Sequence, residues 1–100
     1  MFESAYAPSM ISPQLARSLR SRLYGVRPSV FIRNSVDNCN CQQIDDALNS
    51  DELIKIRTNV HSSNELIALA NEICKKFKAT LIQTIGYMIA IYRHNPENDL

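Results

Sequence analysis

The chain has 100 residues, of which 45% are hydrophobic, as in an ordinary globular domain. A chain of this length buries about two-thirds of its unfolded surface, which gives one modest core and excludes a large multidomain enzyme. Eleven Lys and Arg residues against ten Asp and Glu residues leave a formal net charge of +1, whereas nucleic-acid-binding domains are often strongly basic. Total charge alone therefore argues against RNA or DNA binding.

The charges are distributed unevenly along the chain. No acidic residue lies between Glu3 and Asp37, and this segment contains Arg17, Arg20, Arg22, Arg27 and Arg33. The guanidinium group presents a planar fork of donors that suits phosphate oxygens. The segment therefore indicates a phosphate-binding surface, and an ordinary solvated face is the other interpretation of the same arginines.

The cysteines predict neither a disulfide framework nor a zinc site. Cys39, Cys41 and Cys74 are odd in number, so they do not pair completely within one chain. The spacing of Cys39 and Cys41 is shorter than the usual zinc-ligand spacing, and Cys74 lies on an apolar helical stripe, as a small core residue does. We expect reduced thiols, a cytoplasmic location, and no metal or other cofactor.

Neither targeting nor membrane insertion is predicted. The sequence Met1-Phe2-Glu3 lacks the basic and then apolar pattern of a signal peptide. The longest apolar run, residues 87–92, is far shorter than the roughly 20 residues that span a bilayer. We therefore expect no membrane partner.

The first predicted element is an amphipathic helix. Residues 1–11 lack periodicity and are expected to form a flexible N-terminal extension. Ser12 and Pro13 are typical of an N-cap and a first helical residue, and the helix ends near Gly25. Leu15, Leu19 and Leu23 form an apolar seam, and Arg17 and Arg20 project from the opposite face.

The middle of the chain predicts a strand and then a helix of low propensity. Pro28 precedes the apolar run 29–32, which has the length of a strand. A turn at residues 33–35 follows, and the helix extends toward Ser50. Asn, Cys and Gln give this helix weak propensity, although four residues recur at helical spacing: Cys41, Ile44, Ala47 and Leu48.

The next two elements have clear signatures. Residues 53–60 alternate, with Ile54 and Ile56 on one face and Lys55 and Arg57 on the other, which predicts a strand with a cationic solvent face. Ser62 begins a capping box and a helix that extends through residue 77. The lysines in its last turn complement the helix dipole, an explanation that requires no ligand.

Two strands complete the predicted fold. The runs 80–85 and 88–93 flank Gly86-Tyr87, and glycine at the first turn position favours a type II′ hairpin. The order is therefore α-β-α-β-α-β-β. Strands separated by helices require crossover connections, so we expect a single small two-layer α/β domain with a four-stranded mixed sheet and three helices.

Three segments resemble the CRM domain (chloroplast RNA splicing and ribosome maturation). They are the stretch Ile44-Asp45-Asp46-Ala47-Leu48 with Leu53-Ile54-Lys55-Ile56-Arg57, the Arg27-Pro28 pair that leads into the first strand, and the final hairpin of residues 79–93 with its Ile-Gly turn and closing Tyr-Arg. The resemblance covers roughly residues 11–96 and is closest to the small bacterial YhbY type. It places the domain at residues 12–96, followed by a C-terminal tail at 97–100.

The resemblance implies a compact RNA-binding module without catalysis. Bacterial members associate with precursors of the large ribosomal subunit, and the fold is similar to the C-terminal domain of translation initiation factor three. The family has a Gly-x-x-Gly loop where this chain has Arg33-Asn34-Ser35-Val36, and a Lys where it has Tyr87. Without glycine, close backbone contact with phosphate is expected to be weaker, so Arg33 would make a side-chain contact and Tyr87 would stack on a base.

We therefore predict sequence-tolerant binding of structured, ribosomal RNA by a monomer with no small-molecule substrate. The candidate RNA-binding residues are Arg17, Arg20, Arg33, Asn34, Ser35, Lys55, Arg57, Tyr87 and Arg93. An enzyme is not expected, because His61 and His94 have no evident nucleophile partner and no catalytic set is recognisable. A CRM-like protein-interaction module that has lost strong RNA binding is the alternative, and it differs by having no continuous cationic patch.

Overall fold

The computed structural model describes residues 12–33 and 38–95. The predicted extension at 1–11 and tail at 97–100 lie outside these ranges. The predicted element order is confirmed, and a 3₁₀ turn at Leu23–Gly25 follows the first helix. The elements are α1 (Pro13–Arg22), β1 (Pro28–Phe31), α2 (Asn38–Asp51), β2 (Leu53–Arg57), α3 (Ser63–Phe77), β3 (Thr80–Ile85) and β4 (Met88–Tyr92).

Side-chain caps start two of the helices where the sequence predicts them. The Leu15 amide donates to the Ser12 hydroxyl at 3.1 Å, and the Glu65 amide donates to the Ser62 hydroxyl at 3.4 Å. Each bond satisfies a backbone donor that has no partner within the helix. The α3 helix ends where Lys78 adopts left-handed backbone angles with φ of 56°.

The mixed sheet has the strand order β1-β2-β4-β3. Strands β1 and β2 are parallel, and the pairs β2–β4 and β3–β4 are antiparallel. The sequence predicts that the second strand continues to Val60, but β2 ends at Arg57. Just beyond this end, Thr58 is bonded to the β3–β4 turn, since its amide and its hydroxyl both donate to the Tyr87 carbonyl, at 2.8 and 2.9 Å.

A two-residue turn joins β3 to β4, as predicted. Ile85 and Met88 are register partners, so Gly86 and Tyr87 form the loop. Gly86 has φ of +59°, and Tyr87 is not among the residues with positive φ. Positive φ at only the first of the two loop residues is the pattern of a type II′ turn.

Apolar clusters cover both faces of the sheet. Helices α2 and α3 pack on one face, where β2 and β4 contribute Ile54, Ile56, Ile89 and Ile91. The other face carries a smaller cluster: Leu19, Leu23, Leu53, Ala90 and Tyr92. Helix α1 thus forms a third layer, where the sequence predicts two. It packs there because β2 and β4 are apolar on both faces at the Leu53–Tyr92 end.

The thiols described in the structure are free. Cys74 is fully buried in the larger cluster, and desolvation raises the pKa of its thiol to about 12. Cys41 is half-buried and packs against the same cluster. Within residues 12–33 and 38–95, no helix is long and apolar enough to cross a membrane.

Candidate nucleic-acid interface

Helix α1 covers only part of its face of the sheet. Leu53 and its register partner Tyr92 lie in the cluster under α1. Farther along β2, Lys55 and Arg57 point to the same side, because the intervening Ile54 and Ile56 point into the opposite cluster. We call this uncovered part of the sheet, at Lys55 and Arg57, the open face.

A groove of about 330 Å³ lies where α1 meets the open face. Arg17 and Arg20 from α1 border it together with Lys55 from β2. Tyr24 and two residues of β3, Gln83 and Ile85, also line it. A smaller depression continues over the open face along Lys55, Gln83, Ile85, Met88 and Ala90. The sequence-predicted cations of α1 and β2 therefore converge.

These cations have no anionic partner in the described part of the chain. The ion pair there joins Arg93 to Asp45, and His94 Nδ1 lies 3.3 Å from a carboxylate oxygen of Glu52. Arg17, Arg20 and Arg57 are exposed, and Lys55 is half-buried. Because their charges are not neutralised locally, they produce a positive potential in the groove, and its walls reduce the screening by water. The groove therefore suits an anionic ligand with several charges.

The acidic residues lie elsewhere. Within the described ranges they occupy α2, the residue after it, and α3: Asp45, Asp46, Asp51, Glu52, Glu65 and Glu72. Helices α2 and α3 cover the opposite face of the sheet. No acidic residue is therefore present on α1 or on any of the four strands. The near-neutral total charge consequently separates into a cationic side and a side that carries all the described acids.

Two further predicted residues lie at the end of the sheet beside Arg57. Arg33 is exposed shortly after β1, whose last residue, Phe31, is the register partner of Arg57. Tyr87 lies in the turn that precedes Met88, the partner of Arg57 on β4. The Tyr87 ring contacts His61 edge to face, with ring centroids 5.2 Å apart. The predicted residues Asn34 and Ser35 lie outside the described ranges.

The structure separates Arg93 from the other predicted residues. It follows Tyr92, so it lies beyond the end of the sheet that α1 covers. Its guanidinium donates to the Phe77 carbonyl at 3.0 Å and to the side-chain oxygens of Asp45 and Asn49 at 3.0 and 2.9 Å. The side chain is only 20% exposed. These contacts tie β4 to α2 and α3, on the side away from the groove.

The apolar residues that border the cations were not predicted as site residues from the sequence. Tyr24 is 95% exposed and Phe31 is 54% exposed. A signal for Phe31 is present in the sequence, because Val30 and Ile32 alternate with it and both enter the core. Tyr24 follows Leu23, the last residue of the α1 seam, and it has no comparable periodic signal.

Comparison with known proteins assigns the family. The family model of the CRS1/YhbY (CRM) domain matches residues 11–93. The chain belongs to the CRS1/YhbY (CRM) family. The CRM resemblance and the predicted small α/β fold are thus confirmed. The match extends from the residue before the Ser12 cap through Arg93, and so includes every helix and strand described above.

Relatives of this CRM domain include named RNA-binding proteins. "Probable RNA-binding protein YqeI" of Bacillus subtilis is 29% identical over 90 residues, which cover 89% of this chain and 94% of that protein. "Probable RNA-binding protein PA4753" of Pseudomonas aeruginosa is 36% identical over 55 residues. That match covers 55% of this chain and spans about half, 53%, of the Pseudomonas protein.

A solved structure has the same fold. The solution structure of hypothetical protein SAV1595 from Staphylococcus aureus, described as a candidate RNA-binding protein, superposes with a TM-score of 0.77. The two chains are 31% identical, and the match covers 86% of this chain and 91% of the other.

Proposed function

We propose that this protein is a non-catalytic RNA-binding protein that associates with large-subunit ribosomal RNA or its precursors during ribosome assembly. It acts as a cytoplasmic monomer. The observation that carries the proposal is the convergence of Arg17, Arg20 and Lys55 on one groove, none of them with an anionic partner in the described structure.

The chemistry of the groove is that of binding. Arg is charged at every physiological pH and offers several donors in a fixed plane, so Arg17 and Arg20 suit phosphate oxygens better than they suit proton transfer. Lys55 adds a third charge from a separate element. A polyanionic backbone would contact all three, whereas a small anion would use only some of them.

The relatives and the family support the same ligand. The Bacillus and Pseudomonas proteins are named for RNA binding. The ribosomal part of the proposal rests on the resemblance to bacterial CRM proteins that associate with precursors of the large subunit. The missing Gly-x-x-Gly motif at residues 33–36 leaves side-chain contacts as the main source of affinity, so we expect modest binding.

A titration of large-subunit ribosomal RNA at two salt concentrations tests the proposal. With about four phosphates contacted, the affinity should fall roughly 50- to 150-fold between about 50 mM and about 200 mM monovalent salt, because bound counterions are released. No binding at the lower concentration, or an affinity indifferent to salt, would reject RNA as the ligand and favour the protein-interaction alternative.

Competition identifies the class of ribosomal RNA. Fragments of unlabelled large-subunit RNA should displace the labelled RNA from the protein. They should do so at a lower concentration than small-subunit RNA fragments of the same length. Equal competition by the two RNAs would retain RNA binding but reject the large-subunit assignment.

A further inference from the structure

Four side chains form a single row across the open face. Phe31 is the register partner of Arg57, Arg57 of Met88, and Met88 of Ile85. The row therefore crosses the strands in their spatial order, β1-β2-β4-β3. Adjacent strands are about 4.8 Å apart, so the row spans about 14 Å.

The row is accessible, and three of its four side chains are apolar. Phe31 and Ile85 are 54% and 50% exposed, and Met88 borders the open depression. The next row toward α1 contains Lys55, with Ala90 and Gln83 beside it. Phe31 lies on one side of Arg57, and Met88 and Ile85 lie on the other, so the row presents apolar side chains directly beside a cation. Exposed apolar groups bordered by polar residues mark interaction surfaces more often than scattered single residues do.

Charge complementarity identifies the occupant. Arg57 lies within the row, Lys55 lies in the adjacent row, and Arg17 and Arg20 border the groove that leads into it. No acidic residue of the described chain lies on α1 or on a strand. The ligand must therefore combine negative charge with planar apolar surfaces, a combination that nucleotides provide.

The exposed ring distinguishes unpaired from paired RNA. A duplex hides its base faces by stacking, so it presents phosphates and sugars to a protein. Such a ligand would contact the cations and gain little from Phe31. Unpaired nucleotides, in contrast, can place a base on an aromatic ring, and each stacked base contributes appreciably to affinity.

We propose that the open face binds an unpaired RNA segment, with a base stacked on Phe31 and the neighbouring phosphates held by Arg57, Lys55 and the arginines of α1. Tyr24, which borders the same groove and is 95% exposed, stacks a second base. This inference rests on the proposed RNA-binding function and specifies the secondary structure of the RNA. In a folded ribosomal RNA, such segments are loops, bulges and single-stranded ends.

The test compares a labelled oligouridylate with an RNA duplex of the same strand length, at one low salt concentration. Wild-type protein should bind the oligouridylate more tightly. Phe31→Ala should weaken oligouridylate binding by about ten-fold or more, as loss of one stacked base does. The same substitution should leave duplex affinity and the salt dependence of both complexes unchanged.

Two further variants control for folding and report on stacking directly. Ile67 on α3 is 45% exposed and lies on the side of the acidic helices, so Ile67→Ala is a matched truncation that should leave both affinities unchanged. The chain contains no Trp; hence Phe31→Trp introduces a single reporter. Its emission should be quenched by the oligouridylate and not by the duplex, with affinity retained.

The outcomes separate this inference from the proposed function. If neither RNA binds at low salt, the RNA-binding proposal itself fails. If both RNAs bind equally and Phe31→Ala alters neither affinity, RNA binding stands and the stacking proposal is overturned. Loss of affinity for both RNAs in Phe31→Ala but not in Ile67→Ala would also overturn it, because that result would show an interaction common to paired and unpaired RNA.

Discussion

At the scale of single residues, Arg93 uses its guanidinium donors for hydrogen bonds within the domain. Its guanidinium bonds to the Phe77 carbonyl, the Asp45 carboxylate and the Asn49 amide oxygen, so one side chain fixes the last turn of α3 and the middle of α2 to the end of β4. Because the guanidinium is charged and only 20% exposed, its hydrogen bonds contribute more to stability than bonds between neutral groups do.

Arg93→Ala should therefore lower the free energy of unfolding by about 2 kcal/mol, the typical cost of losing hydrogen bonds to a charged group. Arg93→Lys keeps the charge but not the planar fork, so it should recover only part of this loss. Urea unfolding measures both variants. At a temperature where Arg93→Ala remains folded, its affinity for RNA should equal that of wild type. Unchanged stability with weakened RNA binding would instead place Arg93 in the interface.

Some residues of the candidate site are recognisable from the sequence, and others are recognisable only from the structure. Arg17, Arg20, Lys55 and Arg57 are recognisable because charge and periodicity mark them in the sequence. Phe31 is of a residue type usually found in cores. Its alternation with Val30 and Ile32 indicates its face of the sheet, but only the pairing of β1 with β2 shows that it lies beside Arg57. Recognising it as a site residue therefore required the register of the sheet.

At the scale of elements, the β3–β4 turn is the clearest case of local sequence determining backbone geometry. Gly86 has φ of +59°, and a Cβ built on it would meet no atom within 4 Å. A substitution there is consequently opposed by backbone strain and not by steric contact. Gly25 is similarly open and has no positive φ, so the two glycines form a matched pair.

Gly86→Ala should destabilise the protein by about 1 kcal/mol, because the left-handed region is unfavourable for a residue with a Cβ. Gly86→Asn should cost less, since Asn tolerates positive φ better than Ala does. Gly25→Ala should be neutral or slightly stabilising, because it restricts only the unfolded chain. Thermal or urea unfolding measures the series, and equal effects of Ala at positions 25 and 86 would contradict the assigned role of the turn.

Caps, periodicity and the Gly86 turn predict most element boundaries, and the observed elements begin and end close to the predicted residues. The position of α1 was not predictable in the same way. Its seam of Leu19 and Leu23 shows that one side is buried, but not which face of the sheet receives it. That choice depends on Leu53, Ala90 and Tyr92 meeting across two strands, which is a property of the assembled sheet.

At the scale of the whole molecule, the sheet separates the cations of α1 and β2 from the acidic residues. The formal net charge is +1, yet every described acidic residue lies on α2, α3 or directly after α2. The cations of α1 and β2 lie across the sheet from them. A polyanion approaching the groove therefore meets a positive field that the total charge does not reveal.

Two double variants with the same change in charge test this separation. Lys55→Ala with Arg57→Ala removes two positive charges from the open face, and Lys75→Ala with Lys76→Ala removes two from the last turn of α3; either change takes the formal net charge from +1 to −1. The open-face variant should bind ribosomal RNA more weakly and reduce the slope of log affinity against log salt by about 2, one unit for each phosphate that is no longer neutralised. The α3 variant should retain nearly the wild-type slope, because its lysines lie outside the groove.

Circular dichroism confirms folding of both proteins before RNA titrations at several salt concentrations. Equal losses in the two variants would show that RNA responds to net charge, and would remove the groove as its binding site.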